Sequence, residues 1–352
     1  MRLLTATFLV ATGAALESGV PPQERPAVQN PAAVAMRVVD GVMVPDIAPL
    51  PTSVPIPPSN LNYQPKIDLG RQLFFDARLS KNDKVSCSYC HIPGAGFSDP
   101  HPTSLGIDDR LGPRQAPTVL NVGFNRFLFW DGRAGSLEEQ ALGPIQNPIE
   151  MGEDLGHLVG KLRKIEGYAR QFRNVFGTNV TIQGISNAIA AFERTLISAN
   201  SAFDRYMMGD KKAMNEAAVH GMELFRGKAR CLLCHNGPSL TDNEFHNIGV
   251  PQTGPQKEDL GRYSVTRQER DKGAFKTPTL RSILDTAPYM HDGVFLTLEE
   301  VIDFLDKGGG PNPHLSPLIR PLGLTQEEKS DLIAFLEALS GAPLKIDVPA
   351  LP

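Results

Sequence analysis

Cysteine is scarce in this chain. Four residues in 352 are cysteines, and all four fall inside two short motifs, so none is spare for a disulfide. Tryptophan is scarcer still, with Trp130 alone. Basic excess is missing too. A formal charge of −4 gives no reason to expect a nucleic-acid partner, which would want a basic face. No apolar run is long enough for a clear membrane span. The one at the N-terminus follows Arg2, ends by about Leu16 and carries small residues at Gly13 and Ala15. That pattern fits a secretory signal over 1–16, with an uncleaved anchor as the alternative. Long helical periodicity is absent as well. Thirty prolines and 32 glycines among 41% apolar residues read as a globular chain with many turns. Its length suits about two domains.

What is present is a repeated pentapeptide. Cys87-Ser88-Tyr89-Cys90-His91 has a counterpart of the same type 144 residues on, Cys231-Leu232-Leu233-Cys234-His235. Two cysteines three positions apart lie on one side of a helical turn, where each can form a thioether with a haem vinyl group. The adjacent histidine then offers an axial imidazole to the iron. A zinc site would need both cysteine pairs to converge in one tetrahedral cage, and a redox dithiol would need a βαβ context that the pattern lacks. Two covalent c-type haems are the expectation. Covalent haem attachment takes place outside the bacterial cytoplasm, so it agrees with the leader and predicts a periplasmic protein.

Residues 17–60 hold many prolines and little periodicity, and read as a linker or surface strap with order starting near Leu61. Leu69 to Phe75 predicts a short helix leading into the first motif, and Glu216 to Gly227 another leading into the second. Between them, Leu155 to Phe176 and Ile182 to Leu196 keep a helical period, predicting two amphipathic helices. The crossing between domains is expected over Ser201 to Asn215. Thr297-Leu298-Glu299-Glu300 and Thr325-Gln326-Glu327-Glu328 are capping boxes, each opening a helix. No sheet larger than a hairpin is expected. The domains are expected at 61–205 and 206–345.

Taken with the runs Ala116 to Asn121, Phe129 to Ala134, Asn147 to Met151 and Thr286 to Gly293, the motifs resemble the bacterial di-haem cytochrome c peroxidase family, including its MauG branch. The resemblance runs from about Leu61 to Gly341. It implies a mainly α fold of two cytochrome c-like domains, with a calcium ion between the haems. It makes the N-terminal haem peroxidatic and the C-terminal haem the electron-transfer one. It matches Glu150 to the distal acid, Gln140 and Pro144 to other pocket residues, and Trp130 to a tryptophan between the haems. The calcium ligands carry over to the carbonyls of Thr286 and Pro288, while Gln115 stands where the family has an asparagine. The implied partners are hydrogen peroxide and a small cytochrome c or cupredoxin donor, or else a protein substrate. A homodimer is compatible with the resemblance.

Apart from it, Glu150 alone reads rather as a helix-start acid or a surface salt-bridge partner, and Trp130 as a core aromatic. His101, His157 and His220 read as surface or core residues. His246 and His291 are expected near haem propionates.

Two departures from the family pattern stand out. Sixteen residues after His91, where the peroxidases place a removable distal histidine, stands Ile107. The pocket is therefore expected to be open without reductive activation. Nineteen residues after Thr286, where the family offers Met or Tyr to the second iron, stands Leu305. Met290 is the candidate replacement, with His291 or an open iron as alternatives. Three functions are carried forward: a periplasmic peroxidase passing electrons from the C-terminal to the N-terminal haem, a MauG-like enzyme that oxidises Trp or Tyr residues of a partner, and a non-catalytic di-haem carrier.

Overall fold

The computed structural model describes residues 34–255 and 258–352. The expected signal over 1–16, and the part of the expected strap before residue 34, lie outside the described residues.

The chain is already regular well before Leu61, contrary to expectation. β1 (Met36–Val39) and β2 (Val42–Pro45) form an antiparallel hairpin with Val39 opposite Val42. Asp40 and Gly41 turn it with φ of 49° and 81°, the left-handed pair that an Asp-Gly hairpin turn requires. Val39, Val44 and Ile47 are buried in the same core as the second haem motif. The segment is a strap, but one whose apolar residues belong to a core.

The helices follow in order. α1 (Gln64–Phe75) starts with proline in its first turn and ends before the single turn α2 (Cys87–Cys90). α3 (Leu137–Gln146) is capped by Ser136 and contains Pro144. The long helix expected over Leu155 to Phe176 is two, α4 (Leu155–Arg163) and α5 (Glu166–Phe176). An extended residue at Ile165 breaks them, and after the break Tyr168 and Phe172 turn fully inward. There Tyr168 donates its hydroxyl to Asp76 at 2.6 Å. α6 (Ile182–Glu193) closes the first half.

α7 (Ala202–Met207), opened by a Ser201–Asp204 capping box, occupies part of the stretch expected as a crossing. Phe203 is already in the second core, whereas Leu196 is still in the first. The passage between cores is therefore the short stretch after Leu196, earlier than the spacing suggested. α8 (Glu216–Arg226) leads to the second motif, which sits on a 3₁₀ turn, Cys231–Leu233. β3 (Phe245–His246) pairs antiparallel with β4 (Phe275–Lys276), and the single turn α9 (Tyr263–Thr266) lies between them. α10 (Leu298–Asp306) and α11 (Gln326–Glu337) both open on complete capping boxes, as their sequences specify. After α11 the chain returns to the first half, where Leu344 and Ile346 pack against its core.

One helix crossing is built twice. α1 meets α6 where a Cβ on Gly70 would lie 1.8 Å from the carbonyl oxygen of Ala188. α8 meets α11 where a Cβ on Gly221 would lie 1.9 Å from the carbonyl oxygen of Asp331. Four residues beyond each glycine a phenylalanine meets its counterpart edge-on: Phe74 on Phe192 at 5.3 Å, and Phe225 on Phe335 at 5.1 Å. Each crossing ties the helix before a Cys-x-x-Cys-His motif to the last helix of its core.

Either glycine replaced by alanine should force the two backbones apart and cost about 1–3 kcal/mol, as overpacking does. Gly160→Ala, on an open face of α4 with nothing within 4 Å of the new methyl, should be neutral or mildly stabilising. Chemical-denaturation midpoints of Gly70→Ala, Gly221→Ala and Gly160→Ala test this. Equal effects in all three would remove the close crossing as a determinant.

Candidate functional site

The first Cys-x-x-Cys-His motif opens onto a cavity of about 420 Å³. Cys87, Cys90 and His91 line it together with Gln140, Pro144, Asn147, Glu150, Arg133 and Trp130. The His91 Nδ1–H donates to the carbonyl of Phe97 at 3.3 Å, which leaves Nε2 as the free lone pair. Burial keeps this imidazole below its ordinary pKa and so neutral, the form that ligates a metal. α3 supplies Gln140 and Pro144 and ends at Asn147, whose Nδ2 donates to Glu150 Oε1 at 2.6 Å. Burial raises the Glu150 carboxyl above its ordinary value, against the pull of Arg133 and of the Asn147 amide. A carboxyl with a raised pKa holds its proton more readily than an ordinary one, which suits a group that must both accept and give a proton. The Ile107 N–H donates to the Glu150 carbonyl at 2.8 Å. Ile107 is itself buried, off the cavity wall, under Gly152. Among the described residues, His91 is the one histidine lining this cavity.

The second motif opens onto a separate cavity of about 290 Å³ lined by Cys231, Cys234 and His235. The His235 Nδ1–H donates to the carbonyl of Leu240 at 3.0 Å, and burial again keeps the ring neutral. α10 turns Leu298, Val301, Ile302 and Leu305 toward this space, a spacing of three, four and seven that selects one helix face. Met290 and His291 line the same cavity, and His291 is buried with no partner for its Nε2.

The two cavities share a wall. Gln115, Pro117, Thr118, Asn125, Trp130, Lys276 and Pro278 line both. Trp130 donates from Nε1 to the Gln115 carbonyl at 2.9 Å and accepts the Lys276 N–H at its own carbonyl at 2.8 Å. Behind it, Arg114 reaches Asp131 and Asp259, each at 2.7 Å. That network joins the loop of the first half to a loop of the second.

The expected residues are thus divided cleanly. Glu150 and Gln140 face the first cavity, Met290 and Leu305 the second, and Trp130 both. The calcium candidates Thr286 and Pro288 line the second cavity and Gln115 the wall shared by both, where its amide nitrogen donates to Ser98 and to the carbonyl of Asp99. His101, His157 and His220 are exposed and sit beside Asp99, Glu153 and Asp331 respectively. His246 is held by Asp242 at 2.8 Å. Burial works against charge on that ring, but its acidic neighbour overrides this and raises its pKa.

Two wall residues had no motif to announce them. Glu193, at the end of α6, is buried with no partner for Oε2, because the guanidinium of Arg194 is committed to Glu138. Burial pushes its carboxyl up to about 8. Lys276 is the other.

Neither alternative chemistry fits the arrangement. The cysteine pairs line different cavities, so no four-thiolate zinc cage forms. Among the described residues, the one cluster spaced for a metal ion is Cys234, Asp242 and His246, with a single thiol. Among the described residues the sheets are two antiparallel pairs, with no βαβ unit for a dithiol oxidoreductase. Two thiols and a neutral, carbonyl-anchored imidazole on each cavity wall are the donor set for a c-type haem, and they fit that group.

Known proteins agree with this geometry. A family model described as di-haem cytochrome c peroxidase matches residues 64–212. The cytochrome-c peroxidase IdrP1 of Pseudomonas sp. (strain SCT) is 40% identical over 339 residues, spanning 88% of this chain and 89% of the relative. The methylamine utilization protein MauG of Methylorubrum extorquens is 42% identical over 306 residues, 86% of this chain and 86% of the relative. The chain belongs to the di-haem cytochrome c peroxidase family. It is a mainly helical, two-haem oxidoreductase of the kind that acts on peroxide. A crystal structure of a MauG-like protein associated with microbial copper homeostasis superposes with a TM-score of 0.73 at 34% identity, covering 82% of this chain and 93% of that one.

Glu193 makes a pH test available. Its folded pKa of about 8 lies above the ordinary 4.5, so the folded chain keeps a proton that the unfolded chain releases. The stability that this contributes is fully present below pH 4.5 and is lost as pH rises through 8. The melting temperature of the haem-loaded protein should therefore decline between those limits, and Glu193→Gln should flatten the decline. Parallel slopes for wild type and variant would show that Glu193 does not carry the effect.

Proposed function

We propose that the protein is a periplasmic di-haem c-type peroxidase that reduces hydrogen peroxide to water. Electrons would enter at the C-terminal cavity and be used at the N-terminal one. The observation that carries this reading is Glu150, a half-buried, Asn147-bonded carboxyl with raised pKa on the wall of a cavity that, among the described residues, is lined by no histidine besides His91. A haem held by Cys87, Cys90 and His91 would supply the redox-active iron and deliver the electrons for the reaction.

The chain's own part is proton handling and exclusion of other ligands. Glu150 takes the proton from one peroxide oxygen and gives it to the other, so that the oxygen–oxygen bond breaks as water leaves. Asn147 fixes the carboxyl's rotamer through its 2.6 Å hydrogen bond, and Gln140 and Pro144 bound the space in which peroxide sits. Trp130, which lines both cavities, is the bridge over which the two haems communicate. Cys231, Cys234 and His235 would hold the second haem. The carbonyls of Thr286 and Pro288 with the Gln115 side chain would hold a calcium ion beside it. One haem domain would form on each buried core, close to the expected 61–205 and 206–345 but with Phe203 and the Val39-to-Ile47 segment on the second core and Leu344 and Ile346 against the first. A small cytochrome c or cupredoxin donor would serve them.

A MauG-like oxidation of Trp or Tyr residues in a partner protein is the second reading. The observation in its favour is Ile107, which sits behind the Glu150 carbonyl rather than over the cavity, so nothing need leave before peroxide enters. A pure electron carrier would not need a poised carboxyl in an open pocket.

Glu150→Gln should lower peroxide turnover about 10²–10⁴-fold, the usual cost of a lost proton-transfer group, with both haem spectra and a content of two haems retained. Unchanged turnover would make Glu150 structural and end this assignment. A second test concerns Leu305. Leu305→Met should create a methionine-to-iron charge-transfer band in the ferric spectrum, since that side chain lines the second cavity. A spectrum identical to wild type would mean that Leu305 does not face the iron.

A further inference from the structure

Lys276 is a buried charge without a counter-ion among the described residues. It is 8% exposed, and no carboxylate of those residues lies within ion-pair distance of its Nζ. Its one hydrogen bond runs from Nζ to the carbonyl of its own neighbour, Thr277, at 3.1 Å. Asp242, the acidic residue whose field it feels most, is already engaged by His246 at 2.8 Å and by the N–H of Glu244 at 2.9 Å. Burial accordingly pulls the amine down to about 8. A buried ammonium with two unused donors is costly unless an anion comes to it.

The backbone leaves little freedom about where that anion can be. Lys276 lies in β4, opposite Phe245 of β3, and its N–H is held by the Trp130 carbonyl at 2.8 Å. The residue is pinned in the wall between the cavities and lines both of them. The other cations nearby are not available for the task. Arg114 is spent on Asp131 and Asp259, and Arg262 on the carbonyls of Asp131 and Gly132.

We infer that Lys276 is the shared anion post of the two cavities and that the anions it binds are haem propionate carboxylates. This rests on the reading that both cavities hold haem. It goes beyond that reading by assigning one side chain to both cofactors. Each haem brings two carboxylates and the wall brings one unpaired ammonium, so cofactor binding satisfies the donors that the chain leaves open. A cation at that position favours the reduced, less positive state of either iron, because it offsets the negative charge that reduction adds. Lys276 is on this account a positioning and potential-setting residue, not a group that touches peroxide.

The experiment uses the haem-loaded protein and variants shown by mass spectrometry to retain two haems, so a failure of the haem assignment is seen separately. Lys276→Met should move the propionate bending bands in the ferrous resonance Raman spectrum and lower both midpoint potentials in a spectroelectrochemical titration. Lys276→Arg should restore the potentials toward wild type. Unshifted bands and potentials in Lys276→Met would overturn the inference. A shift at one haem alone would overturn the shared role. Should Lys276→Met not assemble, Lys276→Gln removes the charge while keeping a donor, and the same readings decide.

Discussion

The close approach of two helices at a glycine is the constraint on which everything else in this chain depends. At Gly70 and again at Gly221 a helix backbone runs so near a carbonyl of its partner that no side chain fits. The phenylalanine one turn later then locks edge-on against its counterpart. Each crossing fixes where its leading helix ends, and therefore where the following Cys-x-x-Cys-His motif begins. The descents differ: the first motif is reached through a longer loop and sits on an α turn, the second on a 3₁₀ turn soon after α8. The crossing is the shared element, and the haem-facing turn is set up by it.

The wall between the cavities depends on the crossings in turn, since each side of it belongs to a different core. Loops rather than helices make it, and loops need their backbone groups satisfied. Here Arg262 does so for two carbonyls, while the Arg114 guanidinium ties the loops together through two buried carboxylates. Trp130 is held at both ends of its residue, by Gln115 at the indole and by Lys276 at the carbonyl. A tryptophan fixed in this way keeps one position on the wall that the two cavities share.

Much of this was legible from residues whose chemistry is local. The two pentapeptides, the capping boxes at Thr297 and Thr325, and the short helices leading into each motif specify their own geometry. Val39-Asp40-Gly41-Val42 was equally local, yet the prolines around it masked a hairpin turn that the dipeptide itself encodes. What could not be read locally is whatever depends on meeting a distant element. Glu193 looks like an ordinary helix-end acid until α6 is placed against a cavity and Arg194 is seen to serve Glu138 instead. Lys276 looks like a solvated lysine in a short strand until Trp130 and both cavities close around it. Burial, which no periodicity in a two-residue strand can report, is what turns each of them into a functional candidate.

The two cavities differ in a way that follows from their polar residues. The first carries Glu150, Gln140, Asn147 and Arg133 around one imidazole, so a proton can be received and returned there. The second turns the apolar face of α10 inward, with Leu305 where a ligating side chain would close an iron. A polar pocket with a poised carboxyl suits bond cleavage, which needs protons to be placed. An apolar pocket suits electron passage, which needs a low-dielectric surround and little reorganisation as charge comes and goes. Replacing a ligand by Leu305 keeps the second pocket apolar while leaving its iron without an evident partner from α10. The asymmetry of the two cavities therefore lies less in the paired motifs, which are alike, than in which helix faces each of them: α3 with its proline and its Asn147 terminus at the first, α10 with its leucine at the second.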